Sequence, residues 1–594
     1  MTYAMLLSSH RLIKVLEWIT LIALVWAFAA PQAGNGFFAR LGRWTGVLAR
    51  SRKRAMITAA LFPMLVRAVM LPWYPPPKPQ IHDEFSYLLQ ADTFAHGRVV
   101  NPAPPYPEHF ESEYVLLQPT YASQYQPAQG LALAFGELAL GSAWAGVWLS
   151  MGLMFAALCW ALSYIFPLRW ALRGSIGAAL QFGIFGIWMN SYFGGAIAAA
   201  AGALVLGSLF RMNDHRQAAS AAALCATGII VLFGSRPFEG LLWLGVSVVW
   251  IALQFRKRGS RNGLALRMVP VSVSFALVFV AGSAALAWYN WRVTGNPFDP
   301  PYLTYRRIYG TPQPFWWQAP IHVDRFRFAE LRDNYLNQLH LYEARTSPAD
   351  IFSAETSRLK NFWRFFTGPL FTPCLVFLWV ALRDKRLRPL LYISIPFMLD
   401  KATYHAWFPA QNAPETILIV AIFLQCWRHL LVAGRRQMVG RAIGRNLVAA
   451  CFLVIVAAGA GRATEPYLPA LLRHLPPIWE SLYPARRLRD DVAEKLAQIP
   501  GRHLVFVDFG PEHCFCEEWI ANSADIRNQP IVFARDVSLE SDIRLASWLS
   551  DHDVWVVEPD ARPYTLERLN DAVLDRLERN LPVTSPEQVA LSAE

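Results

Sequence analysis

Charge is scarce in this 594-residue chain: Asp, Glu, Lys and Arg make up only 16% of it, where soluble domains hold about a quarter. That shortage excludes a protein built only of water-facing domains. Cysteine is scarce too. Seven residues are too few for a disulfide framework, and Cys159, Cys225, Cys374, Cys426 and Cys451 lie in apolar runs, where cysteine acts as a small hydrophobe. The last 130 or so residues contain no Gly-x-Gly-x-x-Gly and no Walker loop, so no nucleotide-binding domain is expected there. No internal repeat of the inverted-transporter kind is found. The start of the chain lacks a convincing cleavable signal, since the apolar run after Lys14 leads into a basic stretch and further apolar runs, and it is read as a retained helix.

Apolar sequence is abundant: 54% of the residues are hydrophobic and the mean hydropathy is +0.25. Windows of about 17 to 25 mostly apolar residues are long enough to cross a bilayer as helices. Twelve are expected, near 13–30, 55–73, 143–166, 174–190, 195–211, 217–234, 240–255, 268–290, 369–382, 389–400, 413–432 and 446–462, with 389–400 short enough to be half of a broken helix.

The net charge of +12 hides a split. Residues 463–594 carry 13 basic and 23 acidic side chains, which leaves 42 basic and 20 acidic in residues 1–462. The basic excess sits in alternate short loops: Arg40 to Arg54, Arg169 and Arg173, Arg211 and Arg216, Arg256 to Arg267, Arg383 to Arg388, and Arg435 to Arg445. Short loops rich in Lys and Arg stay in the cytoplasm, so the charge reads as topology and not as a nucleic-acid footprint. The intervening short loops hold only Arg236 and Lys401. Residues 74–142, 292–368 and the tail from about 463 then fall on the external side. The same count puts the N-terminus outside, against the charges of Arg11 and Lys14, so the first run is either a span or an interfacial helix.

The expected fold class is therefore a polytopic α-helical membrane protein of about 11–12 spans with a small external C-terminal α/β domain. Residues 1–54 form an extra helix and a basic loop, 55–462 the membrane domain, and 463–594 the tail. In the tail, helical pattern over Arg486–Ile499 and Leu539–Leu549 alternates with strands at His503–Phe509, Ile531–Ala534 and Val554–Val557. His503, His513, Cys514 and Cys516 have the elements of a soft-metal site or a strained disulfide. Without a second ligand pair, neither is expected.

Ile81-His82-Asp83-Glu84-Phe85-Ser86-Tyr87 opens the first external loop, about ten residues after a span ends at Trp73. Two carboxylates at the membrane surface are either a solvated helix start, favoured by the first-turn dipole, or cavity groups with work to do. The longer stretch, HDEFSYLLQADTFAHGRVVNP followed by HFESEYVLLQPTYASQYQPAQG, resembles the first external loop of GT-C membrane glycosyltransferases, glycosyltransferase family 39-like, as in the bacterial relatives of protein mannosyltransferases and of lipid A aminoarabinose transferase. In that superfamily an Asp or Asp-Glu pair, an Ala-to-Gly segment and a Tyr-Pro-Pro-Gly-type turn follow one another. Asp83 and Glu84, Ala91 to Gly97, and Tyr125-Gln126-Pro127-Ala128-Gln129-Gly130 match these, with Gln126 departing from the pattern. The Asn190–Gly195, Ser235–Gly240 and Thr294–Phe298 loops match as well, so the resemblance covers roughly residues 55–460.

The resemblance implies a bacterial inner-membrane enzyme that moves a sugar from a polyprenyl-phosphate donor to a glycan, lipid or protein acceptor at the external face. Such a donor has a good leaving group, so the chemistry needs chiefly one base and one cation. Asp83 is the expected base, with Glu84 its partner or a metal ligand. Arg236 is the expected phosphate holder, its bland alternative being a pair with Glu239 or lipid headgroups; Arg98, Arg292, Arg306 and Lys401 are lesser candidates. His82, Arg98, Tyr125, Gln129, Tyr192, Glu239, Tyr404 and His405 complete the expected substrate-binding set. No cofactor is certain; a divalent metal at His82, Asp83 and Glu84 is conceivable, although adjacent residues rarely supply a full ligand set. The rival class is a transporter or flippase, which the spans alone would favour and which the missing repeat, the two large external loops and the scarcity of charges within the spans, where Glu17 and Arg67 stand out, disfavour. A membrane O-acyltransferase would need a buried catalytic His, and no His falls mid-span.

Overall fold

In a long apolar segment the backbone is satisfied most simply by bonding within the segment, so these runs become helices. The computed structural model describes residues 3–72, 74–79, 81–258, 264–310, 315, 318–321, 323, 326–343, 348–403, 409–463, 488–511, 513–515 and 517–569. The N-terminal helices are α1 (Tyr3–Ala29), α2 (Asn35–Leu48) and α3 (Arg52–Val69). The first loop holds α4 (His82–Ala95) and the start of α5 (Pro127–Leu140). A bundle follows: α6 (Ala143–Leu162), α7 (Leu168–Ala178), α8 (Gly195–Arg211), α9 (Ala218–Phe233), α10 (Pro237–Arg258) and α11 (Leu264–Thr294). The second large loop carries α12 (Pro301–Tyr309), α13 (Ala329–Glu343) and α14 (Pro348–Phe366). The bundle closes with α15 (Gly368–Phe371), α16 (Leu378–Leu382), α17 (Arg388–Thr403), α18 (Thr416–Gln437) and α19 (Val439–Ala463). One apolar core runs through it, from Leu16 and Ala59 through Phe155, Trp188 and Trp243 to Leu424.

Among the described residues, Ala143–Leu162 and Val269–Thr294 are each long and apolar enough to cross a membrane, and the pair Pro348–Phe366 and Gly368–Leu382, bent by 81°, adds a third if it is one span. Shorter apolar helices occupy most of the other expected windows. Two windows behave differently from expectation. The window 174–190 is not one helix: α7 passes into a π turn at Ala179–Gly183, and residues 184–194 leave the helix. A Cβ at Gly186 would sit 2.0 Å from the Phe182 carbonyl oxygen, so the fold-back needs glycine there. The broken helix is also elsewhere. α17 runs unbroken through Pro396, and the sharp bend falls between α14 and α15 at Gly368, whose φ of 59° is left-handed.

Short strands organise the first loop: β1 (Asn101–Pro102), β2 (Val115–Leu116) and β3 (Thr120–Ser123) form an antiparallel sheet in the order β1-β3-β2. The tail is an α/β unit of α20 (Leu488–Leu496), β4 (Arg502–Val507), β5 (Ile531–Arg535), α21 (Leu539–Trp548), β6 (His552–Glu558) and β7 (Thr565–Arg568). Its sheet order is β5-β4-β6-β7, parallel except for the β7 edge. The period of two splits β4 cleanly. Val505 and Val507 pack under α20 with Val492, Leu496 and Trp519. Leu504 and Phe506 pack the other way, into a cluster with Leu89, Phe110, Val115, Leu117 and Tyr121 of the first loop. The tail and the first loop therefore share a core.

Polar ties reinforce that joint. His109 is buried, with Nδ1 2.8 Å from the Arg535 carbonyl and Nε2 2.8 Å from the Ser541 hydroxyl. Arg535 donates to the Glu111 carbonyl at 2.7 Å and reaches Glu330 of α13 at 3.3 Å. The Ala524 N–H donates to Asp92 at 2.6 Å, and Lys78 pairs with Glu494 at 2.8 Å. Cys514 is disulfide-bonded, which overturns the expectation that His513-Cys514-Phe515-Cys516 forms no disulfide; Cys516 lies outside the described residues. Cys159, Cys225, Cys374 and Cys426 are buried, as small hydrophobes should be.

Candidate active site

The site is built on the first turn of α4. Glu84 closes it: Oε2 accepts from the Ile81 N–H at 3.2 Å, satisfying a donor at the helix entry, and Oε1 accepts from the Tyr192 N–H at 2.9 Å. Glu84 is only 2% exposed. It thus joins α4 to the 184–194 segment. Gln129 holds that segment from α5, donating to the Tyr192 carbonyl at 2.8 Å, and the Tyr192 hydroxyl donates to the Pro77 carbonyl at 2.9 Å. Beneath them Arg67, fully buried near the end of α3, donates to Asn190 Oδ1 at 3.0 Å, to the Tyr74 carbonyl at 2.6 Å and to the Pro75 carbonyl at 3.0 Å. Its guanidinium also lies over the Tyr74 and Trp144 rings.

Residues 83, 86, 87 and 90 share one face of α4 by the three-and-four spacing of a helix. Ser86 Oγ donates to the Tyr114 carbonyl at 2.7 Å and pairs with Ser123 Oγ at 2.7 Å. Gln90 and Tyr289 both donate to the Tyr125 carbonyl, at 2.7 and 3.0 Å. The Tyr125 ring stacks on Tyr87, with centroids 4.2 Å apart. So fixed, Tyr125 donates its hydroxyl hydrogen bond to Asp83 Oδ1. Burial pushes the Asp83 carboxyl above its ordinary range, while the Tyr125 bond and the charges of His82 and Arg236 pull it back. Arg236, half-buried just before α10, acts on Asp83, Tyr87 and Glu239. The fold thus brings Asp83 and Arg236 into one electrostatic neighbourhood.

The remaining expected residues are distributed otherwise. Glu239 pairs with Lys401 at 2.9 Å, and Lys401 also meets Asp400 at 2.7 Å and Glu415 at 3.9 Å. Three carboxylates around one ammonium leave Lys401 no surplus charge for a phosphate. Arg98 lies beyond the far end of α4, among His96 and Asp525, and is not brought to Asp83. Arg292 and Arg306 lie over Trp288 and Tyr302. Tyr404 and His405 fall outside the described residues.

His82 faces the tail. Its Nδ1 is 2.8 Å from Glu518 Oε2, its Nε2 is 2.6 Å from the Phe515 carbonyl, and Glu113 Oε2 lies 3.9 Å from Nε2. Burial opposes a charge on the ring, but Glu113 and Glu518 outweigh it and raise the His82 pKa to about 9. Burial lifts Glu113 to about 7 in spite of His82. A metal does not fit here, because both His82 nitrogens and both Glu84 oxygens already have partners, and among the described residues no group of three or more His, Cys, Asp or Glu is arranged to hold one.

No family model and no curated protein matches the chain. Solved structures do. ArnT from Cupriavidus metallidurans bound to undecaprenyl phosphate is 14% identical, with 89% of this chain and 95% of that chain covered and a TM-score of 0.47. The oligosaccharyltransferase of Archaeoglobus fulgidus in its apo form is 12% identical, with 85% and 69% covered and a TM-score of 0.45. Both neighbours are GT-C superfamily members.

Since His82 gains a proton affinity on folding, the stabilisation it gives the tail joint is fully present below its unfolded pKa, about 6.5, and fades as pH rises through about 9. Hydrogen exchange of β4 and β6 should therefore accelerate between pH 7 and 10 in the wild type by more than the intrinsic base catalysis. In His82→Gln the excess should vanish. An equal excess in both would show that another group governs the joint.

Proposed function

We propose that this protein is an integral-membrane glycosyltransferase that moves a sugar from a polyprenyl-phosphate donor to an acceptor hydroxyl at the external face, with the tail on that same side. The reading rests on one arrangement above all: a half-buried carboxylate on the first turn of α4, held by the Tyr125 hydroxyl, with the Arg236 guanidinium before α10 in its electrostatic neighbourhood although 153 residues away in the chain. The loop motifs and the alternation of basic loops support it. So does the tail's junction with the first loop, because two parts that share a core belong on the same side.

In the proposed reaction Asp83 takes the proton from the acceptor hydroxyl as its oxygen bonds to the anomeric carbon. The bond from that carbon to the phosphate oxygen breaks, and the electron pair leaves with the polyprenyl phosphate, whose added charge Arg236 holds. One displacement inverts the anomeric configuration. Glu84, with both oxygens engaged by backbone N–H groups, shapes the site and takes no proton. The deciding experiment is turnover of a polyprenyl-phosphate sugar by purified protein in detergent, where no gradient exists; transport of the lipid without transfer in vesicles would replace the enzyme by a flippase.

Arg236→Ala should raise the KM for the lipid donor about tenfold or more, since a charge-assisted bond to phosphate is worth roughly 1.5–3 kcal/mol. Arg236→Lys should fall between, keeping charge and losing the planar fork. Donor kinetics unchanged in both would return Arg236 to a structural pairing.

A further inference from the structure

A base needs only its own carboxylate and a nearby cation, yet the residue that precedes Asp83 is gripped by a domain 436 positions away. The grip fixes a charge. A neutral imidazole has one donor nitrogen and one acceptor nitrogen. Here Nδ1 faces a carboxylate and Nε2 a carbonyl, both of which only accept, so both nitrogens must donate and the ring is an imidazolium. Glu518 is itself held, accepting from the Ile520 N–H at 2.7 Å, and its side chain is 5% exposed.

We infer that Glu518 of the C-terminal domain is a positioning residue for the transfer reaction, acting on Asp83 through the His82 imidazolium. The inference rests on the proposed role of Asp83 as base. Two consequences follow for that carboxylate. The imidazolium anchors the first turn of α4, so Asp83 stays in register beneath the Tyr125 hydroxyl. Its charge also stands beside Asp83 and favours the ionised form that can accept a proton.

The charged and titratable groups around the pair come from five elements. Asp83 is faced by His82 on its own helix, by Tyr125 at the start of α5 and by Arg236 before α10. Tyr114 and Glu113, from the segment leading into β2, complete its surroundings. His82 is faced by Glu518 of the tail, by Glu113, and edge-on by Tyr114. Glu113 accepts in turn from Asn334 of α13, and the charge of Arg535 reaches Glu518. Of the two cations that favour ionised Asp83, only His82 can be discharged; Arg236 cannot.

The test uses the full-length protein and two readouts. One is the pH dependence of kcat/KM for transfer. The other is labelling of Asp83 by dicyclohexylcarbodiimide, which attacks protonated carboxyls, followed by peptide mass spectrometry across pH. Glu518→Gln should move both the acidic limb and the labelling midpoint upward by about one pH unit, the usual size of losing a neighbouring charge. Glu518→Asp should move them less. His82→Gln should produce the same shift, and adding Glu518→Gln to it should add nothing, because both changes remove one interaction. That double variant removes the His82–Glu518 pair together and leaves neither half of it facing a lost partner, so it decides the matter if a single variant does not fold. A limb and midpoint that stay in place in the double variant overturn the inference. If the labelling midpoint shifts as expected while wild-type protein transfers no sugar, the positioning holds and the proposed reaction is what fails.

Discussion

Asparagine at position 83 should slow transfer by about a thousandfold, within the range that one general base contributes. The amide oxygen can still accept from Tyr125, and Glu84 still closes the first turn, so folding and binding of the lipid donor should survive. Wild-type activity should fall as pH drops through the Asp83 pKa, which burial places above the ordinary 3.8. Single-turnover rates in detergent, beside donor affinity, would check both. Residual transfer above about a tenth of wild type in Asp83→Asn would be too much for a lost base and would send the search to another carboxylate.

The largest effect on folding is expected at Arg67. Its removal leaves the Tyr74 and Pro75 carbonyls and Asn190 without their donor in a buried setting. Breaking such a cluster on one side costs on the order of 3–5 kcal/mol. Arg67→Ala should therefore unfold at much lower temperature, and Arg67→Lys should recover only part, because an ammonium cannot reach three acceptors in the fork geometry. Thermal unfolding in detergent would measure it. A Tm unchanged in Arg67→Ala would mean that the 184–194 segment is held by Glu84 and Gln129 alone.

Much of this was legible in the residues. Charge-free length marked most of the helices, and the acidic first turn marked Asp83. Arg67 had a signal too, as a charge that stands out well inside an expected span, a place a cation rarely occupies without a task. What could not be read depends on contacts that no local pattern encodes. The strands β1 and β2 have two residues each, too few for a period of two to show. Hydropathy saw 174–190 as continuous because glycine counts as mildly apolar while permitting the chain to leave the helix at Gly186. Lys401 looked like a spare cation because Glu239 and Glu415 approach it only in the folded bundle. The docking of the tail was hidden for the same reason: a strand face shows that it is apolar, not that its partner is Phe110 or Leu117 of the first loop.

That shared core sets the order in which the protein can be made. The segment carrying Asp83 emerges early, but the partners of Leu89, Phe110 and Leu117 in β4, β5 and α21 are synthesised more than 380 residues later. At about 5–20 residues per second the gap lasts on the order of tens of seconds. Throughout it, the nascent loop must wait with its apolar face uncovered and His82 without Glu518. A ribosome that stalls before β4 would release a chain with every bundle helix in place and an unfinished reaction centre. On the proposed reading, completion of the C-terminus, after its export to the donor's side, is the event that switches the enzyme on.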